Sequence, residues 1–218
     1  MTNLYLIEKT NVIDEAKLYS FLSDPLNKRV SETKSENRRL ERLISYSFIS
    51  FLIKSAYPCD EKCELAFDTE GKPFLKNSPL KVSISHSDGL IVIGVCDGDI
   101  CGFGVDIEKV NEKSNETAEK FLKKYGIGDI LASECSASVF LALLDKDDVF
   151  KIAKKSEYSP KKSFDPIDNW TRLESLLKAE GKGFCALKNL PGINAVSSVS
   201  TFDVKKEDLR YSLSFAII

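Results

Sequence analysis

A chain of 218 residues, 43% hydrophobic and 29% charged with a net charge of −2, has the makeup of a globular protein with one large core or two small ones. The near-neutral balance argues against bulk attraction to nucleic acid or to an anionic membrane surface. No apolar run approaches the ~20 residues that span a bilayer, and the opening MTNLYLIEKTNVIDEA lacks the basic stretch and cleavage site of a signal peptide. A cytoplasmic protein whose six cysteines stay reduced is therefore expected.

The opening residues read as a first strand. Leu18, Phe21 and Leu22 share one face of a short helix that stops near Ser23-Asp24-Pro25. Leu40, Leu43, Ile44, Phe48, Phe51 and Leu52 then recur at three- and four-residue steps and predict a helix over 35–56, ended by Pro58. Cys59 and Cys63 are spaced like half a metal site. The chain holds one histidine and no matching second pair, so zinc is not favoured. CELAFDTEGKPFL reads as a strand followed by a Gly-Lys-Pro turn, and KVSISHSDG as a strand running into a loop. LIVIGVC and CGFGVDIE read as two strands of a hairpin closed by DGDI.

After Lys109 the composition turns polar. NEKSNETAEKFLKKYG predicts a helix ending at Gly126, and 130–155 is read as further helix around VFLALL. SEYSPKKSFDP is a loop. DNWTRLESLLKAEGKG predicts a second helix with Asp168 as N-cap and Gly181 as its stop, and strands are expected near 184–188, 196–203 and 210–217. Helices and strands mix along the whole chain, which predicts two α/β halves meeting near residue 109.

Candidate chemistry starts with Asp106 and Glu108, two positions apart on one face of a strand end. Trp170, Glu174 and Lys178 are spaced by four and share a face of the late helix. A lone Glu–Lys pair of that spacing is ordinarily a surface ion pair. Three carboxylates meeting at one point, however, need a cation or a proton. Oxygen-only ligation favours magnesium or manganese over zinc, and magnesium commonly completes its shell with water and substrate phosphate. Lys72 on its turn, with Ser85 and His86 at a strand end, offers anion contacts; a strand-end histidine is more often structural.

In chain order GKPFL, VSISHSDG, FGVDIE and WTRLESLLKAEGKGF resemble the 4′-phosphopantetheinyl transferases, in their surfactin-type, single-chain, two-half branch. Each motif alone is a weak signal; four in order, between residues 71 and 184, make a specific one. The resemblance implies an α+β fold of two similar halves, 1–108 and 109–218, each a small antiparallel sheet on a long helix, related by a pseudo-twofold. It implies transfer of phosphopantetheine from coenzyme A to a serine of an apo carrier protein, releasing adenosine 3′,5′-bisphosphate. Asp106, Glu108 and Glu174 would hold magnesium, or manganese. Lys72, Ser85 and His86 would contact the coenzyme's phosphates, Lys178 would lie near the transferred phosphate, and Trp170 would pack the cleft. Glu174, directly or through a metal-bound water, or else Lys178 would serve as base, and a monomer would complete the cleft. Lys28 with Arg38 or Arg39, at the entry to the long helix, are candidates for further phosphate contacts.

Two departures from the family pattern concern partner choice. The stretch between Glu108 and Trp170 is longer than usual, and Leu173 stands where lysine is common. They keep open one rival, a catalytically silent coenzyme-binding scaffold; a second, resting on the same three carboxylates, is a different magnesium-dependent phosphate-ester enzyme such as a hydrolase.

Overall fold

A computed structural model describes residues 1–9, 14–57, 59–127, 137–145, 149–156, 161, 165–181, 198–206 and 208–218. Among them the fold is mixed α and β, with five helices and ten strands. Strand β1 (Thr2–Glu8) leads to three helices, α1 (Glu15–Tyr19), α2 (Asp24–Ser31) and α3 (Glu36–Ser55). The small hairpin β2 (Glu64–Phe67) and β3 (Pro73–Lys76) follows. Next come β4 (Lys81–Ser87), β5 (Leu90–Cys96) and β6 (Phe103–Lys109), then α4 (Glu112–Tyr125). The chain continues through β7 (Ser138–Asp145), β8 (Val149–Ser156), α5 (Pro166–Glu180), β9 (Ser198–Lys206) and β10 (Leu209–Ile217).

The strands form a five-stranded sheet in the order β4-β5-β1-β7-β8 and a three-stranded sheet in the order β6-β10-β9, besides the hairpin. Their period-two alternation serves two cores at once. In β5, Ile91, Ile93 and Val95 join a core with Leu43, Ile44, Phe48, Ile49 and Leu52 of α3. The alternate residues Leu90, Val92 and Cys96 pack instead against Phe103, Val105 and Ile107 of β6 and Tyr211, Leu213 and Phe215 of β10. The second sheet turns its other face to α5. The resulting layers run α3, five-stranded sheet, three-stranded sheet, α5. No helix among the described residues is long and apolar enough to cross a membrane.

The long helix expected over 35–56 is α3. Its N-cap is Ser35, whose Oγ accepts from the Arg38 amide at 3.5 Å, and its apolar stripe is the face buried in the first core. The helix ending at Gly126 is α4, opened by an Asn111–Ser114 capping box and closed by Gly126 at φ +65°.

Three local expectations are corrected. Residues 138–145 and 149–156 are strands, not helix. VFLALL is six apolar residues in a row, which suits a strand buried on both faces as well as a helix, and here β1 supplies a parallel partner and β8 an antiparallel one. β5 and β6 do not pair as a hairpin. Both edges of β5 are taken by β1 and β4, so the DGDI turn carries the chain across to the other sheet, where β6 pairs with β10. The late helix is capped by Asp165 with Pro166 in its first turn, and Asp168 reaches back to accept from the Asp165 amide at 2.6 Å. The strand expected near 184–188 and the residues Cys135 and Cys185 lie outside the described residues.

Candidate functional site

β4 and β6 are the edge strands of the two sheets, and they meet along a ladder of serines. Ser83, Ser85 and Ser87 alternate along β4 and so point to one side. Ser83 Oγ accepts from the Val105 amide at 3.0 Å, and Ser85 Oγ donates to Asp106 Oδ1 at 2.7 Å. Ser87 Oγ donates to Glu108 Oε2 at 3.0 Å while accepting from the Lys109 amide at 3.0 Å. Ser85, expected at a phosphate, therefore holds a carboxylate.

Helix α5 lies against the same face of β6 because Gly104 has no side chain there. A Cβ at that position would sit 2.0 Å from the Ser175 carbonyl oxygen and 2.6 Å from the Ala179 amide nitrogen. This close approach sets Glu174 and Lys178 over the strand end. Lys178 Nζ lies 2.6 Å from Asp106 Oδ1, 3.0 Å from Ser85 Oγ and 4.0 Å from Glu174 Oε2. Asp106 is 1% exposed, and its second oxygen, Oδ2, is buried without a hydrogen-bond partner.

Crowding shows in the protonation of the group. Burial, then the charge of Asp106, pushes Glu174 up to about 7; Lys178 opposes the rise and Glu108 adds to it. Glu108 is also raised, by burial first and Asp106 second, with the Ser87 bond and Lys178 working against it. One ammonium thus partly neutralises three carboxylates.

These side chains line a cleft of about 430 Å³, within the range usual for small-molecule sites. Arg29, Arg38, Arg42, His86 and Glu41 line the same cleft. Arg29 lies over the Phe67 ring at 4.1 Å and donates to Tyr46 Oη at 3.3 Å. Glu41 Oε2 is 3.5 Å from the half-exposed His86 Nδ1, and Asn37 donates to the other Glu41 oxygen at 3.1 Å. A cleft lined by both arginines and carboxylates suits an anion that brings or recruits its own cation.

Asp106, Glu108, Glu174, Lys178, Ser85 and His86 are brought together in this cleft. Four other candidates stand elsewhere. Lys28 is exposed and pairs with Glu32 at 3.8 Å. Arg39 is held by Glu15, Glu36 and Tyr19 at 2.6–3.0 Å and does not line the cleft, unlike Arg38 and Arg42. Lys72, whose burial depresses its ammonium, donates to the Ala179 carbonyl at 2.6 Å and so caps the C-terminus of α5. Trp170 packs edge-on to Phe121 at 4.7 Å and lines a neighbouring cavity between α4 and α5. Leu173 is fully buried against Leu122 and Leu177, so its side chain faces α4 and not the cleft.

Sequence reasoning missed Arg29, Arg42 and Glu41. Arg38 and Arg42 are four apart on α3, a spacing that was visible. The contribution of Arg29 depends on α2, which the sequence did not predict. Ser87 and Gly104 were also legible, each two positions from a residue already singled out.

The donors of the acidic cluster are all oxygens, and the orphaned Asp106 Oδ2 fits a hard divalent ion. As the side chains stand, no three His, Cys, Asp or Glu among the described residues are gathered closely enough to ligate one ion. Lys178 is the cation on Asp106 instead.

No protein-family model matches this chain. It is similar to the 4′-phosphopantetheinyl transferase Sfp of Bacillus subtilis (strain 168), 25% identical over 183 residues, which is 83% of this chain and 69% of that protein. A likeness of that depth reaches the phosphopantetheinyl transferase superfamily and distinguishes no branch within it.

Proposed function

We propose that the protein transfers 4′-phosphopantetheine from coenzyme A to a serine of an apo acyl or peptidyl carrier protein, as a single-chain, two-half enzyme of the surfactin type. The observation that carries this reading is the meeting of Asp106, Glu108, Glu174 and Lys178 in a cleft that Arg29, Arg38 and Arg42 also line. The similarity to a phosphopantetheinyl transferase over 83% of the chain supports it. The cleft is formed where β4 and β6 meet beneath α5. A cytoplasmic monomer goes with the reading.

The arginines, with His86, would take the phosphate of the nucleotide portion. Lys178, already 32% exposed at the cleft wall, would turn from Asp106 to the phosphate being transferred. Asp106, Glu108 and Glu174 would hold magnesium or manganese, which when bound offsets charge on the pyrophosphate and on the departing adenosine 3′,5′-bisphosphate. The attacking serine hydroxyl must lose a proton. Glu174, which lines the cleft, would accept it. Lys178 enters as a charge, a role its contact with Asp106 favours.

Incubation with coenzyme A, magnesium and a panel of apo carriers tests the reading by mass spectrometry. A carrier gains roughly 340 Da, the mass of the transferred arm. Phosphate release from coenzyme A without carrier labelling would assign the site to a hydrolase instead.

A further inference from the structure

Most of the helix–sheet contact in this fold is apolar, but under the first half of α5 it is a lattice of buried hydroxyls. Thr171 Oγ1 bonds Ser214 Oγ at 2.8 Å, and its one proton faces both the Asp168 carbonyl at 3.0 Å and Ser212 Oγ at 3.1 Å. Ser214 continues to Thr201 Oγ1 at 2.9 Å, which accepts from Arg172 Nε at 2.7 Å. Ser212 donates to Asp168 Oδ1 at 2.7 Å, and the other Asp168 oxygen accepts from Lys161 Nζ at 2.7 Å. Thr171, Ser212 and Ser214 are fully buried, and Thr201 is 1% exposed.

Their register gives the lattice its meaning. Ser214 is the cross-strand partner of Asp106, and Ser212 is that of Glu108. The rungs that present the two strand carboxylates therefore also present the hydroxyls that grip α5. Thr171 lies one turn before Glu174. Apolar contacts flank the lattice on both sides, through Leu173 and Leu177 toward α4 and through Leu176 and Ala179 toward β9 and β10. Such contacts are non-directional and tolerate small slides, whereas hydrogen bonds at 2.7–3.1 Å between buried groups fix one register.

We infer that Thr171, Ser212 and Ser214 are positioning residues that set Glu174 over Asp106 and Glu108. Their hydroxyls touch no ligand; they act through the placement of α5. The inference rests on the reading that these three carboxylates hold a divalent cation; groups that orient metal ligands commonly govern affinity by about 10- to 100-fold.

Calorimetric titration of the full chain with manganese alone tests it, paired with the thermal midpoint of each variant. Thr171→Val keeps the branched shape and removes the hydroxyl. It weakens manganese binding about 10- to 100-fold in a chain that still unfolds cooperatively. Ser214→Ala does the same, and Thr171→Ser restores binding. A Thr171→Val protein with a lowered midpoint but unchanged manganese affinity overturns the inference and leaves the metal reading standing. Thr171→Ser losing as much affinity as Thr171→Val overturns it too, because packing of the methyl group would then be the cause. Should Thr171→Val fail to fold, unchanged affinity in Ser214→Ala is decisive against it. A wild-type chain that binds no manganese removes the metal reading, and the inference with it.

Discussion

Helices α3 and α5 each lie on the outer face of one sheet, and they meet those sheets with opposite chemistry. α3 contributes Leu43, Ile44, Phe48, Ile49 and Leu52 to an apolar core, and Phe48 packs edge-on to Tyr5 at 5.4 Å and Phe150 at 5.0 Å. α5 meets the three-stranded sheet through Thr171, Ser212 and Ser214, a glycine at 104, and the acidic end of β6. An apolar stripe maximises burial. A polar interface with three crowded carboxylates gives some of that up, and what it provides is placement of charge. The first region is where stability is expected to reside, the second where chemistry is.

The sharpest contrast comes from one substitution in each region. Phe48→Ala removes a fully buried ring and should cost about 3–5 kcal/mol of unfolding free energy, read by urea titration. Glu174→Gln should leave the unfolding midpoint unchanged or raised at pH 8, because it removes one of three repelling charges. Its turnover with carrier and coenzyme A should fall about 10²- to 10³-fold. A Glu174→Gln enzyme with near-normal turnover would dissolve the contrast.

The pH dependence sharpens it further. Glu174 rises from 4.5 to about 7 on folding, so across that window the folded chain holds a proton that the unfolded chain has released. Metal-free stability therefore falls as pH rises from about 4.5 to about 7, by on the order of 3 kcal/mol from this group. Glu108 contributes in the same direction. The difference between wild type and Glu174→Gln in denaturant titrations should trace that decline; a difference that grows more favourable to wild type with pH would contradict it. The smallest expected effect belongs to His86. His86→Ala should raise the KM for coenzyme A about tenfold with kcat kept, since the half-exposed ring is held at Glu41 and makes no bond to the three carboxylates of the cluster.

The site was legible in the sequence wherever one element alone fixed geometry. Asp106 and Glu108 share a face because strands repeat every two residues, and Glu174 and Lys178 because helices nearly repeat every four. What escaped depended on long-range partners. Arg39 looked free until α1 and the first turn of α3 supplied Glu15 and Glu36, and Lys72 looked free until α5 ended beside it. The β7 and β8 strands escaped because VFLALL has no period, and only the open edge of β1 makes it a strand. Asp168 was seen as a cap, but Pro166 sets the start of the helix three residues earlier and makes Asp168 the hinge of a hydroxyl network.

Binding of coenzyme A to the full chain, titrated with and without magnesium, tests the shared acidic site most directly. The account predicts that magnesium tightens binding in wild type and that Glu174→Gln loses this dependence. Equal affinity with and without the metal in the wild-type protein would contradict it.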